Sequence, residues 1–158
     1  MKIKIIGLGN PFRGDDAVGN LVARQLLPKQ GPSLSIIEDG VAGLNLLHEM
    51  EDTDKLILID AVSSQSDEGT ITRFTIPQDL DKIGQLAWCT SGPSTHDLGL
   101  QEALTLANTL GDLPPYLVIY AIELGRVDHG FELSSKVAEA VHAVAKRIAN
   151  EELNLSHA

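Results

Sequence analysis

Three polar residues stand where the chain passes from one structural pattern to the next, and their side chains suit metal binding or proton transfer. Asp16 lies in a glycine-rich loop that follows the apolar run 3–6. Asp60 ends a later apolar run, and His96 opens a helical pattern. In an open parallel sheet, ligands bind outside the carboxyl ends of the strands, beside the amino ends of the following helices. We therefore expect these three side chains to lie at one edge of a sheet, with Asp39, after the second strand, as a fourth candidate.

Two carboxylates and an imidazole permit two kinds of chemistry. As ligands, they would leave positions on a divalent ion open for water or for a substrate group. The two carboxylates could instead share a proton and act as an acid–base pair if they lie close together. Cys89 is the only cysteine, which excludes an internal disulfide and a Cys-rich zinc site. The residues alone do not decide between the metal site and the acid–base pair.

Each candidate also has a purely structural explanation. An Asp at a helix start commonly caps the helix or interacts with its dipole, which is an equally good interpretation of Asp15. An Asp at the end of a strand often bonds to neighbouring backbone, and a lone His at a helix start is more often structural than a ligand. The convergence of the candidates on one sheet edge favours a functional site.

A dinucleotide-binding loop is the main alternative for the glycine-rich segment. Gly7-Leu8-Gly9 begins the required pattern, and Glu38 or Asp39 could bind a ribose. The next glycine, however, is Gly14, which comes too late in the chain for that pattern. The two adjacent carboxylates of the loop would also repel a pyrophosphate. This interpretation is therefore the weaker one.

Length and charge narrow the class of protein. At 158 residues, the chain is predicted to form a single domain over 1–158. Its formal net charge of −10 argues against binding to nucleic acid or to an anionic membrane surface. The longest apolar run, 116–122, is far shorter than a membrane span, and the start of the chain is too charged for a signal sequence. We expect a cytoplasmic protein that is a monomer.

Short apolar runs alternate with helical patterns along the chain, which is typical of an α/β protein. We predict a three-layer sandwich, in which helices cover both faces of a central, mostly parallel, twisted sheet of about five strands. The strands are predicted at 2–7, 34–38, 55–60, 69–75 and 116–122. The helices are predicted at 15–27, 42–50, 96–110 and 134–150. Strict alternation in 69–75 indicates an edge or antiparallel strand.

Several short motifs follow one another in an order that spans almost the whole chain. They are Gly7-x-Gly9-Asn10, Gly14-Asp15-Asp16-x-x-Gly19, Asp39-Gly40 with Gly43 and Leu46-Leu47, Ile59-Asp60-Ala61, Ser94-Thr95-His96-Asp97-x-Gly99-Leu100, Ile122-Glu123, and Leu133-Ser134 with Val137 and Val141. In this order they resemble the hydrogenase maturation endopeptidases. These enzymes trim the carboxyl-terminal extension from the large subunit of nickel–iron hydrogenases after nickel insertion. The resemblance implies the same α/β fold and the same reaction.

The resemblance also implies a set of site residues. The family's metal ligands fall on Asp16, Asp60 and His96, which would be the catalytic residues as well. Nickel would arrive with the hydrogenase large-subunit precursor, the protein partner, so no permanent cofactor is expected. The first ligand is often Glu in this family, and Asp16 is shorter by one methylene.

Three further residues are implied to lie beside the ligands or to contact the substrate: Asn10, Asp15 and Asp39. The segment after Asp39-Gly40 is Val41-Ala42, where relatives commonly have Gly-Thr. The details of substrate contact are therefore expected to differ from those in relatives.

The hydrolytic step has two possible forms. A bound cation could polarise the carbonyl or activate water, with Asp60 or Asp16 accepting a proton. An acid pair, as in the spore germination proteases that this fold also resembles, is the alternative. A competing function uses the same three ligands in a nickel-sensing or chaperone module that does not cut.

Overall fold

The computed structural model describes residues 1–9, 18–40, 43–64, 66–88, 99–125 and 134–153, apart from the side chains of Asp39 and Leu44. Four of the candidate site residues lie outside the described residues: Asn10, Asp15, Asp16 and His96. Asp60 lies within them, whereas only the backbone of Asp39 does.

In the part of the chain that the structure describes, five strands form one sheet in the order β2-β1-β3-β5-β4. They are β1 (Ile3–Leu8), β2 (Leu34–Gly40), β3 (Lys55–Val62), β4 (Ile71–Ile76) and β5 (Tyr116–Glu123). The first three and β5 are parallel, and β4 runs antiparallel to β5 at the edge of the sheet. The mostly parallel sheet and the antiparallel edge strand are both confirmed.

Within the described stretches, five α-helices cover the two faces of this sheet. They are α1 (Val18–Leu26), α2 (Leu44–Glu49), α3 (Leu80–Ile83), α4 (Leu100–Leu110) and α5 (Ser135–Glu151). Helices α1 and α5 pack on one face, whereas α2, α3 and α4 contribute to the core on the other. The three-layer arrangement is therefore confirmed, although the short helix α3 was not among the predicted elements.

Alternation along β3 shows how the central strand joins the two cores. Ile57 and Ile59 are buried against α1 and α5, whereas Leu56 and Leu58 are buried on the other face. A strand buried on both faces requires a continuous apolar run rather than a polar–apolar alternation. This requirement explains why Asp60 stands out in β3.

All five strands end later than predicted, and the extensions of β2 and β3, by two residues each, concern site candidates. Strand β3 continues past Asp60 because Ala61 and Val62 pair with the last residues of β5. Strand β2 continues through Asp39 to Gly40, which pairs with Leu8. The expectations that Asp60 ends its strand and that Asp39 follows its strand were therefore wrong. Cross-strand hydrogen bonds, rather than local composition, decide where these strands end.

A buried ion cluster joins the end of α5 to the sheet. The Glu152 side chain is 1% exposed and lies 2.7 Å from Lys55 Nζ and 2.8 Å from Arg73 Nε. The Tyr120 hydroxyl donates to its carboxylate at 2.9 Å. Burial raises the pKa of Glu152, but the hydrogen bonds from Lys55, Arg73 and Tyr120 outweigh burial and leave the pKa below its ordinary value.

Across the described stretches of the chain, we find no helix that is both long and apolar enough to cross a membrane.

Candidate functional site

Asp60 is a fully buried carboxylate in the central strand. Its exposed fraction is 0%, and its Oδ1 accepts a hydrogen bond from the Ala61 N–H at 2.7 Å. Asp60 pairs with Ala121 of β5, whereas the pairing of β3 with β1 ends one residue earlier, at Ile59. An ionised carboxylate is costly to bury unless hydrogen bonds or a cation stabilise it. A buried carboxylate in an otherwise apolar strand is typical of a functional group.

Two glycines hold the start of α1 directly against the ends of β1 and β3. A Cβ added to Gly7 would lie 2.1 Å from the carbonyl oxygen of Gly19. A Cβ added to Gly19 would lie 2.3 Å from the Leu8 oxygen and 2.5 Å from the Ile59 oxygen. Helix and strands therefore meet backbone to backbone, one residue before Asp60. The glycines explain this close packing without any bound phosphate.

The chain that leads toward His96 also passes the end of β3. Trp88 forms a bridge with Val62, and the Ser63 N–H donates to the Ala87 oxygen at 3.1 Å. Trp88 is itself buried, and its indole N–H donates to the Ile83 oxygen at 2.7 Å. Residue 88 is thus fixed close to the part of β3 that carries Asp60.

Glu123 is a second buried carboxylate at the same edge. It ends β5 opposite Val62 and is 2% exposed. Its side chain accepts hydrogen bonds from the Ser64 N–H at 3.0 Å and the Gly125 N–H at 2.8 Å, and from the Ser64 hydroxyl. These contacts tie the chain after β3 to the chain after β5. In the sequence, Glu123 stands out only as part of a motif, although an acidic residue at the end of a strongly apolar strand was an available signal.

The structure thus brings the sequence candidates together only in part. Asp60, the start of α1 and the end of β2 lie at the carboxyl edge of adjacent parallel strands. Asp16 precedes the described start of α1, and His96 precedes α4, so both lie outside the described residues. Among the residues that are described, no group of three His, Cys, Asp or Glu side chains could hold a metal ion.

Comparison with known proteins identifies the family. The model of a protein family described as hydrogenase maturation protease matches residues 17–151. This match spans well over half of the chain. The chain belongs to the hydrogenase maturation protease family. Membership makes it a peptidase.

Curated relatives agree with this assignment. The hydrogenase 2 maturation protease of Escherichia coli is 28% identical over 127 residues, which cover 77% of this chain and 73% of that protein. The hydrogenase expression/formation protein HupD of Bradyrhizobium diazoefficiens is 26% identical over 143 residues, covering 89% of this chain and 72% of that protein.

Solved structures of the family share the fold. The hydrogenase maturating endopeptidase HybD from E. coli superposes with a TM-score of 0.76 at 24% identity, covering 95% of this chain and 91% of that one. The [NiFe] hydrogenase maturation protease HycI from Thermococcus kodakarensis gives 0.68 at 25% identity, covering 94% and 90%. The α/β architecture expected from the sequence is therefore that of these proteases.

Proposed function

We propose that this protease removes the carboxyl-terminal extension of a nickel–iron hydrogenase large-subunit precursor after nickel has been inserted. Family membership supports the reaction class. The observation that carries the proposal is the fully buried carboxylate of Asp60, which directly follows Ile59, the residue whose carbonyl oxygen packs against Gly19 of α1. A cleft at this edge is where parallel α/β folds bind their ligands.

Asp16, Asp60 and His96 are the residues we propose to recognise the nickel that the precursor carries. Carboxylate oxygens and an imidazole nitrogen are a reasonable donor set for a borderline divalent ion, and three ligands leave room for groups from the precursor. Nickel in this proposal belongs to the substrate. The precursor would therefore be bound productively only when it is loaded.

Hydrolysis then needs a water molecule and a proton acceptor. Water adds its oxygen to the scissile carbonyl carbon, the carboxylate of Asp60 or Asp16 takes the proton, and the proton passes to the departing amine nitrogen. A nearby cation would polarise the carbonyl or acidify the water. If the two carboxylates act as an acid pair instead, one of them must be protonated when the reaction begins.

The direct test mixes the purified protein with a nickel-loaded large-subunit precursor and measures the mass of the product. We expect the precursor to lose the mass of its carboxyl-terminal extension, and the nickel-free precursor to remain uncut. An unchanged precursor mass with binding intact would refute cleavage and would favour a nickel-sensing or chaperone module.

A further inference from the structure

A β-bulge interrupts the pairing of β1 and β2 at the carboxyl edge. Ile6 pairs with Ile37, but the next pair joins Leu8 to Gly40, so β2 carries one residue more than β1 in this interval. The extra length falls on Glu38 and Asp39. Bulges of this kind change the direction of a strand and are enriched beside active sites.

The side chain of Asn20 holds the two strands together at this bulge. Asn20 lies in α1 and is 6% exposed. Its Nδ2 group donates to the Gly7 oxygen on β1 at 3.3 Å and to the Glu38 oxygen on β2. Because both partners are carbonyls, which only accept hydrogen bonds, they fix which way the amide points.

The other end of the same amide has no partner among the described residues. Asn20 Oδ1 is buried and accepts no hydrogen bond from them. A buried acceptor without a partner lowers stability, whereas an apolar residue at this position of α1 would avoid that cost. An unsatisfied group of this kind calls for an explanation other than stability. The hydrogen bonds to the bulge provide one.

The end of β2, next to the bulge, borders a cavity rather than the packed core. A cavity of about 250 Å³ lies between the end of β2 and α2, with Ile37 and Gly40 on one side and Leu46 and His48 on the other. Gly40 is packed closely, since a Cβ there would lie 2.1 Å from Cγ2 of Ile6. The residues on either side of the bulge, Ile37 and Gly40, therefore line one wall of a cavity near the carboxyl edge of the sheet.

We propose that Asn20 is a positioning residue of the protease site. By holding the carbonyls of Gly7 and Glu38, it sets the backbone position of Asp39 and the wall of the adjoining cavity. This inference rests on the proposed function, because the cavity and Asp39 are taken to contact the precursor near its cleavage site. Asn20 should then affect precursor binding more than the chemical step.

The test compares the kcat and KM of Asn20→Ala with those of the unaltered protein, using the nickel-loaded precursor. We expect kcat/KM to fall about tenfold, mainly through KM, as two neutral hydrogen bonds are lost. Asn20→Ser retains one hydrogen-bond donor, so its kcat/KM should lie between that of Asn20→Ala and that of the unaltered protein. If Asn20→Ala does not fold, the serine variant decides, and an unchanged KM in a folded serine variant overturns the inference.

Thr53→Val is a matched control. The Thr53 hydroxyl is also buried and lies within hydrogen-bond distance of two backbone carbonyls, those of Glu49 and Glu51, at 3.0 and 3.1 Å. It stands before β3, at the opposite edge of the sheet. We expect this variant to lose stability while its KM stays unchanged. An equal rise in KM for both variants would show that Asn20 acts only through general stability.

A double-mutant cycle shows whether Asn20 acts through Asp39. In the Asp39→Asn background, Asn20→Ala should add little further loss, because residues that act as a unit are not additive. If Asn20→Ala lowers kcat/KM by a further tenfold in the Asp39→Asn background, Asn20 does not act through Asp39. If the unaltered protein fails to cut the precursor, the proposed function fails; if it cuts and the folded Asn20 variants cut equally well, only the inference about Asn20 fails.

Discussion

The buried carboxylate of Asp60 allows the sharpest test on a single side chain. Asp60→Asn keeps the size of the side chain and an oxygen that can accept the Ala61 N–H. It removes the charge needed to bind nickel or to accept a proton. We expect the processing rate, followed by mass spectrometry of the precursor, to fall at least about a hundredfold, with little change in the melting temperature.

Asp54→Asn is the control for this prediction. Asp54 is also an aspartate next to β3, but it is exposed and accepts a hydrogen bond from the Lys2 N–H at 2.7 Å. Its substitution should leave processing unchanged. Full activity in Asp60→Asn would remove Asp60 from the site.

Glu123 allows a test of stability rather than catalysis. Its carboxylate accepts from three donors on the chain after β3 and after β5. In Glu123→Gln the amide nitrogen cannot accept, so at least one of these donors loses its partner. We expect the free energy of unfolding in urea to fall by about 1–3 kcal/mol. Glu102→Gln, on the exposed side of α4, should be neutral, and equal effects of both changes would contradict this account.

At the scale of elements, the contact between α1 and the sheet determines where the site residues can lie. In Gly19→Ala the new methyl would overlap the carbonyl oxygens of Leu8 and Ile59, so the helix must move away from the strands. We expect a loss of about 1–3 kcal/mol in the free energy of unfolding, the usual cost of overpacking, together with a loss of processing.

Gly31→Ala is the matched control for the helix contact. A Cβ at Gly31 meets nothing within 4 Å, and its φ is not in the left-handed region. This substitution should leave both stability and processing unchanged. If Gly19→Ala is as mild as Gly31→Ala, the contact between helix and strands does not constrain the site.

All of the strands and helices except α3 could be predicted from local patterns, but their ends could not. Apolar runs and helical spacing identified all five strands and the helices α1, α2, α4 and α5. The end of β3 depends on the pairing of Val62 with Glu123, and that of β2 on the pairing of Gly40 with Leu8. Such pairs join residues far apart in the chain, so no local pattern reports them.

Dependence on contacts between distant segments also explains why one residue near the site could be predicted from the sequence and another could not. Asp60 could be predicted because a charged residue in an apolar run is visible in the sequence. Asn20 could not, because its role depends on a bulge between two other segments. The assignment of nickel to Asp16, Asp60 and His96 stays a prediction, as do the cytoplasmic location and the monomeric state.

At the scale of the whole molecule, the Glu152 cluster makes stability depend on pH. The folded pKa of Glu152 is lowered, so its contribution is fully present above the unfolded pKa of about 4.5 and is lost as pH falls through the folded value. We expect the free energy of unfolding, measured in urea from neutral to acidic pH, to decrease below about pH 5.

Glu152→Gln should remove much of this dependence. At neutral pH it leaves Lys55 and Arg73 without their carboxylate, and we expect a loss of about 3 kcal/mol. Its stability should then fall less steeply in acid than that of the unaltered protein. Glu139→Gln, at an exposed position of α5, should retain the full acid dependence, and an equally steep fall in Glu152→Gln would contradict the assignment.

The backbone contact between Gly7 and Gly19 has a consequence for laboratory evolution of this enzyme. Neither residue has a side chain that could take part in the reaction, yet a methyl at either position meets a carbonyl oxygen at less than 2.5 Å. A library selected for a new precursor should therefore keep both glycines. New specificity should instead arise around the cavity beside α2, where side chains can change without moving the helix.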